Sequence, residues 1–162
     1  MGTWQWNDQE KPTTTVGVRA TAGAVTMKDD PQAVQRPYVF VRGYDSRLHV
    51  NWWDGKAWHW SDQGTPAGRT VIEKVGAITV QDSPSAQQRP YAFVITDDSK
   101  LHVNWWDGKA WQWSAQNTPP GRVIERPGEA LTMQDNPNAT QRPYAFVITD
   151  DSDLWVNWWS LP

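Results

Sequence analysis

The side chains of this sequence best suited to chemistry come in threes. Arg36, Arg89 and Arg142 each open an Arg-Pro-Tyr triplet, so a planar guanidinium with five donors stands two residues from the phenol of Tyr38, Tyr91 or Tyr144. Further along, Asn51, Asn104 and Asn157 offer an amide that both donates and accepts, and Trp53, Trp106 and Trp159 follow two residues later. Such a set suits a neutral polyhydroxylated ligand, because fixed polar groups meet the hydroxyls while an indole face covers the C–H face of a ring. Each member also has a structural use. The arginines can clamp loop carbonyls or the acidic turns at Asp29, Asp82 and Asp135, and the asparagines can tie neighbouring strands. Most tryptophans are expected in the core, Trp52, Trp105 and Trp158 above all, since they share a strand face with Leu and Val.

Other chemistries are poorly supported. Asp45, Asp98 and Asp151 recur, and glycoside hydrolysis needs two carboxylates about a bond, but each is followed by Ser in a turn, where Asp and Ser are ordinary residues. His49 and His102 correspond, yet the third position is Trp155. A catalytic centre is normally unique, whereas these features come in triplicate, so no enzyme is expected. No loop has the carboxylate and glycine spacing of a calcium site, and neither a metal nor a cofactor is expected. The chain has no cysteine, which removes disulfides and thiolate chemistry. Its net charge of −3 offers no broad positive field for nucleic acid. Met-Gly-Thr-Trp-Gln-Trp has no signal-peptide pattern, and no stretch approaches the ~20 apolar residues of a membrane span. The expectation is a soluble protein, either cytoplasmic or released without a recognisable signal.

What positions these triplets is a repeat. Tryptophan occurs 13 times beside 3 Phe and 4 Tyr, a reversal of the usual aromatic order. Gln-Arg-Pro-Tyr at 35–38, 88–91 and 141–144 and Val-Asn-Trp-Trp at 50–53, 103–106 and 156–159 keep one interval of 53 residues. The pairs Trp4/Trp6, Trp58/Trp60 and Trp111/Trp113 follow nearly the same scheme. The reading is a single domain over 1–162 with repeats at about 4–57, 58–110 and 111–162. In the second repeat, four runs of β-branched and aromatic residues, 76–81, 90–96, 101–106 and 111–114, are parted by Asp97-Asp98-Ser99 and by the hairpin signal Asp107-Gly108. The Pro-rich connector 116–128 reads as loop. Both faces of the second run are apolar, and neither face of the third, with Leu101, Val103 and Trp105 on one side and His102, Asn104 and Trp106 on the other, is plainly solvent-like, as in a β-propeller blade packed between neighbours.

The fold expected is therefore all-β, with three four-stranded antiparallel W-motif blades per chain. Propellers have about 4–8 blades, so three cannot close a ring. The Trp4–Trp6 segment reads as a fourth strand with no earlier strands to join, and the third unit stops short of its own. Exchange of that segment between copies would close the ring as a homo-oligomer. A six-bladed dimer is favoured, with a nine-bladed trimer as the alternative.

The compound motif W-x-W-x-x-Q-x-T-P-x-G, G-A-[IV]-T-[VM]-x-D, Q-R-P-Y-x-F-V and D-S-x-L-x-V-N-W-W-D-G resembles the repeat of the PLL-like, Photorhabdus-type bacterial lectins, and the likeness runs through essentially the whole chain. The resemblance implies a lectin that recognises fucose, galactose or O-methylated glycans multivalently in pockets between blades. It raises Arg, Tyr, Asn and Trp of each repeat as sugar contacts. Family members have seven blades on one long chain, so three repeats imply another blade number or a fragment. The alternative is a designed or excised repeat scaffold, a protein-interaction module without sugar specificity.

Overall fold

The computed structural model describes residues 2–29 and 32–160; Met1, Leu161 and Pro162, at the ends of the expected domain, lie outside them. Among the described residues, eleven strands form three antiparallel up-and-down sheets in chain order. The first holds β1 (Val18–Met27), β2 (Arg36–Gly43), β3 (Leu48–Trp53) and β4 (Trp58–Gly64). The middle sheet holds β5 (Val71–Val80), β6 (Arg89–Thr96), β7 (Leu101–Trp106) and β8 (Trp111–Asn117). The third holds β9 (Ile124–Met133), β10 (Arg142–Thr149) and β11 (Leu154–Trp158). Four strands per unit therefore hold for two sheets, and the third has three among the described residues. Residues 2–11 form no strand, and the indoles of Trp4 and Trp6 are fully exposed.

Turn chemistry sets these meanders. Asp54 accepts the amides of Lys56 and Ala57 at 2.6 and 2.8 Å, and Asp107 those of Lys109 and Ala110 at 2.7 and 2.8 Å. Gly55 and Gly108 follow at φ 101° and 100°, a region that L side chains avoid. The first strand of each unit runs longer than its sequence suggests. β5 begins at Val71 rather than Gly76: Glu73 and Lys74 pair with Ile95 and Val94, and the register irregularities on either side of them fall at Ile72 and Val75. β9 takes in Pro127 and Gly128, which had read as connector: Pro127 sits at a register shift on an edge strand whose only ladder partner among the described residues is β10, where a missing N–H costs little.

The sheets stack face to face, with β1, β5 and β9 side by side and β4 and β8 outermost. The inner strands approach closely at Gly23, where an added Cβ would come within 2.6 Å of the Ala77 nitrogen. Two apolar clusters fill the gaps. Phe40, Leu48 and Val50 of the first sheet meet Val71, Ala92 and Val94 of the middle one, while Phe93, Ile95, Leu101 and Val103 meet Ile124, Ala145 and Val147 of the third. The middle sheet thus buries alternate residues of β6 toward opposite neighbours, the arrangement of a propeller blade. No helix is long and apolar enough to cross a membrane among the described residues.

Candidate functional site

The start of the second strand in each sheet places an aromatic pair beside an ion pair. Antiparallel pairing sets Tyr38 opposite Trp52, Tyr91 opposite Trp105 and Tyr144 opposite Trp158. The rings stack with centroids 5.7, 5.6 and 6.4 Å apart and planes within 20° of parallel. Arg36, Arg89 and Arg142 lie two residues before these tyrosines, so they project from the same face. They pair with Asp29 at 2.8 Å, with Asp82 at 2.9 Å and with Asp135 respectively. The acidic turns named as an alternative partner for the arginines are thus occupied in all three repeats. Burial raises the Tyr38 phenol above its ordinary range, with Asp29 adding to it, and burial likewise raises Tyr91. Both phenols remain protonated at neutral pH and can donate as well as accept.

The glutamine before each later Arg-Pro-Tyr joins that arrangement to the sheet before it. The Lys28 amide donates to Gln88 Oε1 at 2.8 Å and the Gln81 amide to Gln141 Oε1 at 2.9 Å, and the Gln141 amide returns a bond to the Gln81 carbonyl at 2.9 Å. Between the middle and third sheets a cavity of about 280 Å³ opens. Asp82, Arg89, Tyr91, Phe93, Val103 and Trp105 line it from one side, and Gln141, Pro143, Asn157, Trp158 and Trp159 from the other.

The remaining candidates divide. Asn51 and Asn104 are buried inside the sheet stack, and Asn104 donates across the strand to the Gln112 carbonyl at 3.2 Å. Only Asn157 of the three lines the cavity. Trp53 and Trp106 each meet the first indole of the following strand, Trp58 and Trp111, with centroids 5.7 Å apart in both cases. Trp159 has no such neighbour among the described residues and is largely exposed. Of the residues expected in the core, Trp52 and Trp105 pack half-buried against the two apolar clusters and stack on the tyrosines, while Trp158 is exposed. Their role was readable in principle: reflecting Tyr91 through the turn centre at Asp98 lands on Trp105.

The repeated carboxylates serve the turns. Asp98 accepts from Thr96 Oγ1 at 2.7 Å and pairs with Arg69 and Lys100 at 3.2 and 3.3 Å. Burial pushes its carboxyl up, but the Thr96 and Lys100 hydrogen bonds outweigh this and hold it below the usual range. Asp151 repeats the arrangement with Thr149 at 2.6 Å and Arg122 at 2.7 Å, and Asp45 meets His49 at 3.0 Å.

No protein-family model and no curated protein matches the chain. Among solved structures, a fucose lectin from Kordia zhangzhouensis in complex with methyl-fucoside matches with a TM-score of 0.64 at 16% sequence identity, over 85% of this chain and 92% of that one. The chain shares that lectin's fold. Its likeness to the Photorhabdus-type repeat rests on the sequence motifs alone.

Proposed function

We propose that the chain is a carbohydrate-binding lectin for fucose- or galactose-type or O-methylated glycans, binding at the Arg-Asp and Tyr-Trp sets between adjacent sheets. The observation that carries this reading is the threefold recurrence of that set, one copy of which lines the cavity between the middle and third sheets. A guanidinium held by a carboxylate presents donors and acceptors together, which is what neighbouring sugar hydroxyls require. A half-buried indole adds an apolar face for the C–H side of the ring. At about 280 Å³ the cavity lies just below the ~300–1,000 Å³ range of ligand sites and suits a ligand no larger than one monosaccharide. The fold shared with a fucose lectin agrees with this reading. Single sites of this size bind weakly, and several on one rigid body gain about 10²–10⁴ in avidity where spacing allows, which favours attachment over turnover.

Calorimetric titration with methyl-fucoside and methyl-galactoside tests the reading. One of the two sugars should give saturable heat, and Arg89→Ala and Trp105→Ala should each weaken it by about tenfold or more with the circular dichroism retained. Silence from both sugars at millimolar concentration, together with an empty glycan array, would discard the lectin reading in favour of a scaffold.

A further inference from the structure

The cavity between the middle and third sheets has a complete counterpart between the first and middle sheets, and the comparison identifies what is missing from it. At the complete seam, Trp111 of β8 sets its ring edge-on to Phe40 at 5.8 Å, and Trp113 donates its indole N–H to the Gln63 carbonyl at 2.8 Å. At the other seam Phe93 holds the place of Phe40, and β11 has no fourth strand beside it among the described residues.

The segment 4–9 has the local geometry of such a strand. Trp4, Trp6 and Gln9 repeat the W-x-W-x-x-Q spacing of Trp58, Trp60 and Gln63 and of Trp111, Trp113 and Gln116. The Gln9 amide reaches back to Asn7 Oδ1 as Gln63 reaches Ser61 and Gln116 reaches Ser114, each within 3.0 to 3.1 Å. Glu10, Gly64 and Asn117, the residues after these glutamines, all adopt positive φ, at 57°, 71° and 62°. Trp60 donates to the Gln9 carbonyl at 2.7 Å, as Trp113 does to Gln63. Residues 4–9 therefore occupy the place of the outer strand of a sheet preceding the first. They sit at the opposite end of the stack from the cavity, with both indoles in solvent.

We propose that residues 3–9 of a second copy form the fourth strand of the third sheet, and that the partner's Trp4 and the partner's Trp6 fill the apolar end of this cavity. The occupant is thus a second copy of the chain, and the exchange is reciprocal. Two copies supply six sheets, the only multiple of three within the usual range of about 4–8. By the register of β7 with β8, the partner's Trp4 lies opposite Trp159 and the partner's Trp6 opposite Asn157, with its N–H toward the Gln116 carbonyl. Trp159 then gains the indole neighbour that Trp53 and Trp106 already have. The partner's Asp8 falls opposite Trp155, whose buried indole N–H has no hydrogen-bond partner among the described residues. In the first sheet the same pair of positions brings His49 within 3.9 Å of Asp62. The Arg89 and Tyr91 end of the cavity stays open for a ligand, and the inference does not depend on what that ligand is.

Native mass spectrometry of the 162-residue chain at micromolar concentration should give twice the 18.5 kDa chain mass. A monomer, or a trimer, overturns the six-sheet ring. Because the chain has no cysteine, an Asn7→Cys/Val156→Cys variant reports one contact: these positions pair as Ser114 and Val103 do. On oxidation, or with a short bismaleimide, it should run as a covalent dimer on a denaturing gel. Closure within single chains, or no closure in a folded protein, overturns the exchange. Trp4→Ala/Trp6→Ala should abolish the dimer and leave the strand signal of each chain; a surviving dimer overturns the role of these indoles. Should that variant fail to fold, the cysteine pair decides with both tryptophans in place.

Discussion

The middle and third sheets contain the same eleven residues, Arg89–Ser99 and Arg142–Ser152, yet they occupy different surroundings. Leu101 is 2% exposed and its counterpart Leu154 67%, and Val103 is 4% exposed against 36% for Val156. Nothing in the strands themselves accounts for this. Among the described residues the middle sheet has a neighbour on both faces, whereas the third has one and no fourth strand. A propeller blade is half a core on each side, so its burial is set by what stacks on it.

The comparison is sharpest at these leucines. Leu101→Ala should cost about 2–5 kcal/mol, the range for emptying a buried leucine site. Leu154→Ala, measured in the dissociated chain, should stay within about 0.5 kcal/mol, as exposed substitutions do. If the third sheet is covered in an assembly, the Leu154 change appears instead as a loss of association at low concentration. Urea denaturation over a range of protein concentrations separates the two effects. Equal costs for both leucines in the dissociated chain would mean that the exposed face is covered by something other than a second copy.

A smaller contrast lies in the two indole bonds that join neighbouring outer segments. Trp113→Phe keeps much of the ring but leaves the Gln63 carbonyl without its donor, which should cost about 1–3 kcal/mol at this half-buried position. Trp60→Phe releases Gln9 in the same way. Because segment 2–11 is otherwise exposed, the single chain should lose little stability, and the cost should fall on association. Denaturation midpoints and native mass spectra of the two variants check this, and a large loss for Trp60→Phe in the isolated chain would show that the leading segment is already integral to the first sheet.

The strand pattern, the Asp-Gly turns and the two-faced burial of the middle sheet were legible because they depend on local alternation and turn geometry. The Arg-Asp pairs were legible as one of two readings, since charge complementarity names a partner but not its reach. The Tyr-Trp stacks were missed because Trp105 shares an alternation class with Leu101 and Val103, and alternation assigns a face without saying how near the strand end lies to solvent. The strands β5 and β9 were read as too short for a related reason: their register shifts let polar residues and Pro127 enter a ladder that regular alternation would exclude.

Acid should distinguish the middle sheet from the third more gently. His102 is buried, and its Nδ1 lies 3.0 Å from Thr96 Oγ1, whose single proton points to Asp98 or to the Lys100 carbonyl. The imidazole must then donate from Nδ1, which fixes the neutral tautomer. Burial lowers its pKa, and Lys100 and Arg69 act in the same direction against the opposing pull of Asp98 and the Lys100 backbone. A histidine whose folded pKa is depressed takes up protons more readily when unfolded. Its contribution to stability is therefore complete above the unfolded value of ~6.5 and is lost as pH falls from there toward the folded value. Trp155 replaces it in the third sheet and cannot titrate. Between about pH 7.5 and about pH 5.5 the urea midpoint of the native sequence should drop more than that of His102→Gln. An identical drop in the two proteins would remove His102 as a difference between the middle sheet and the third.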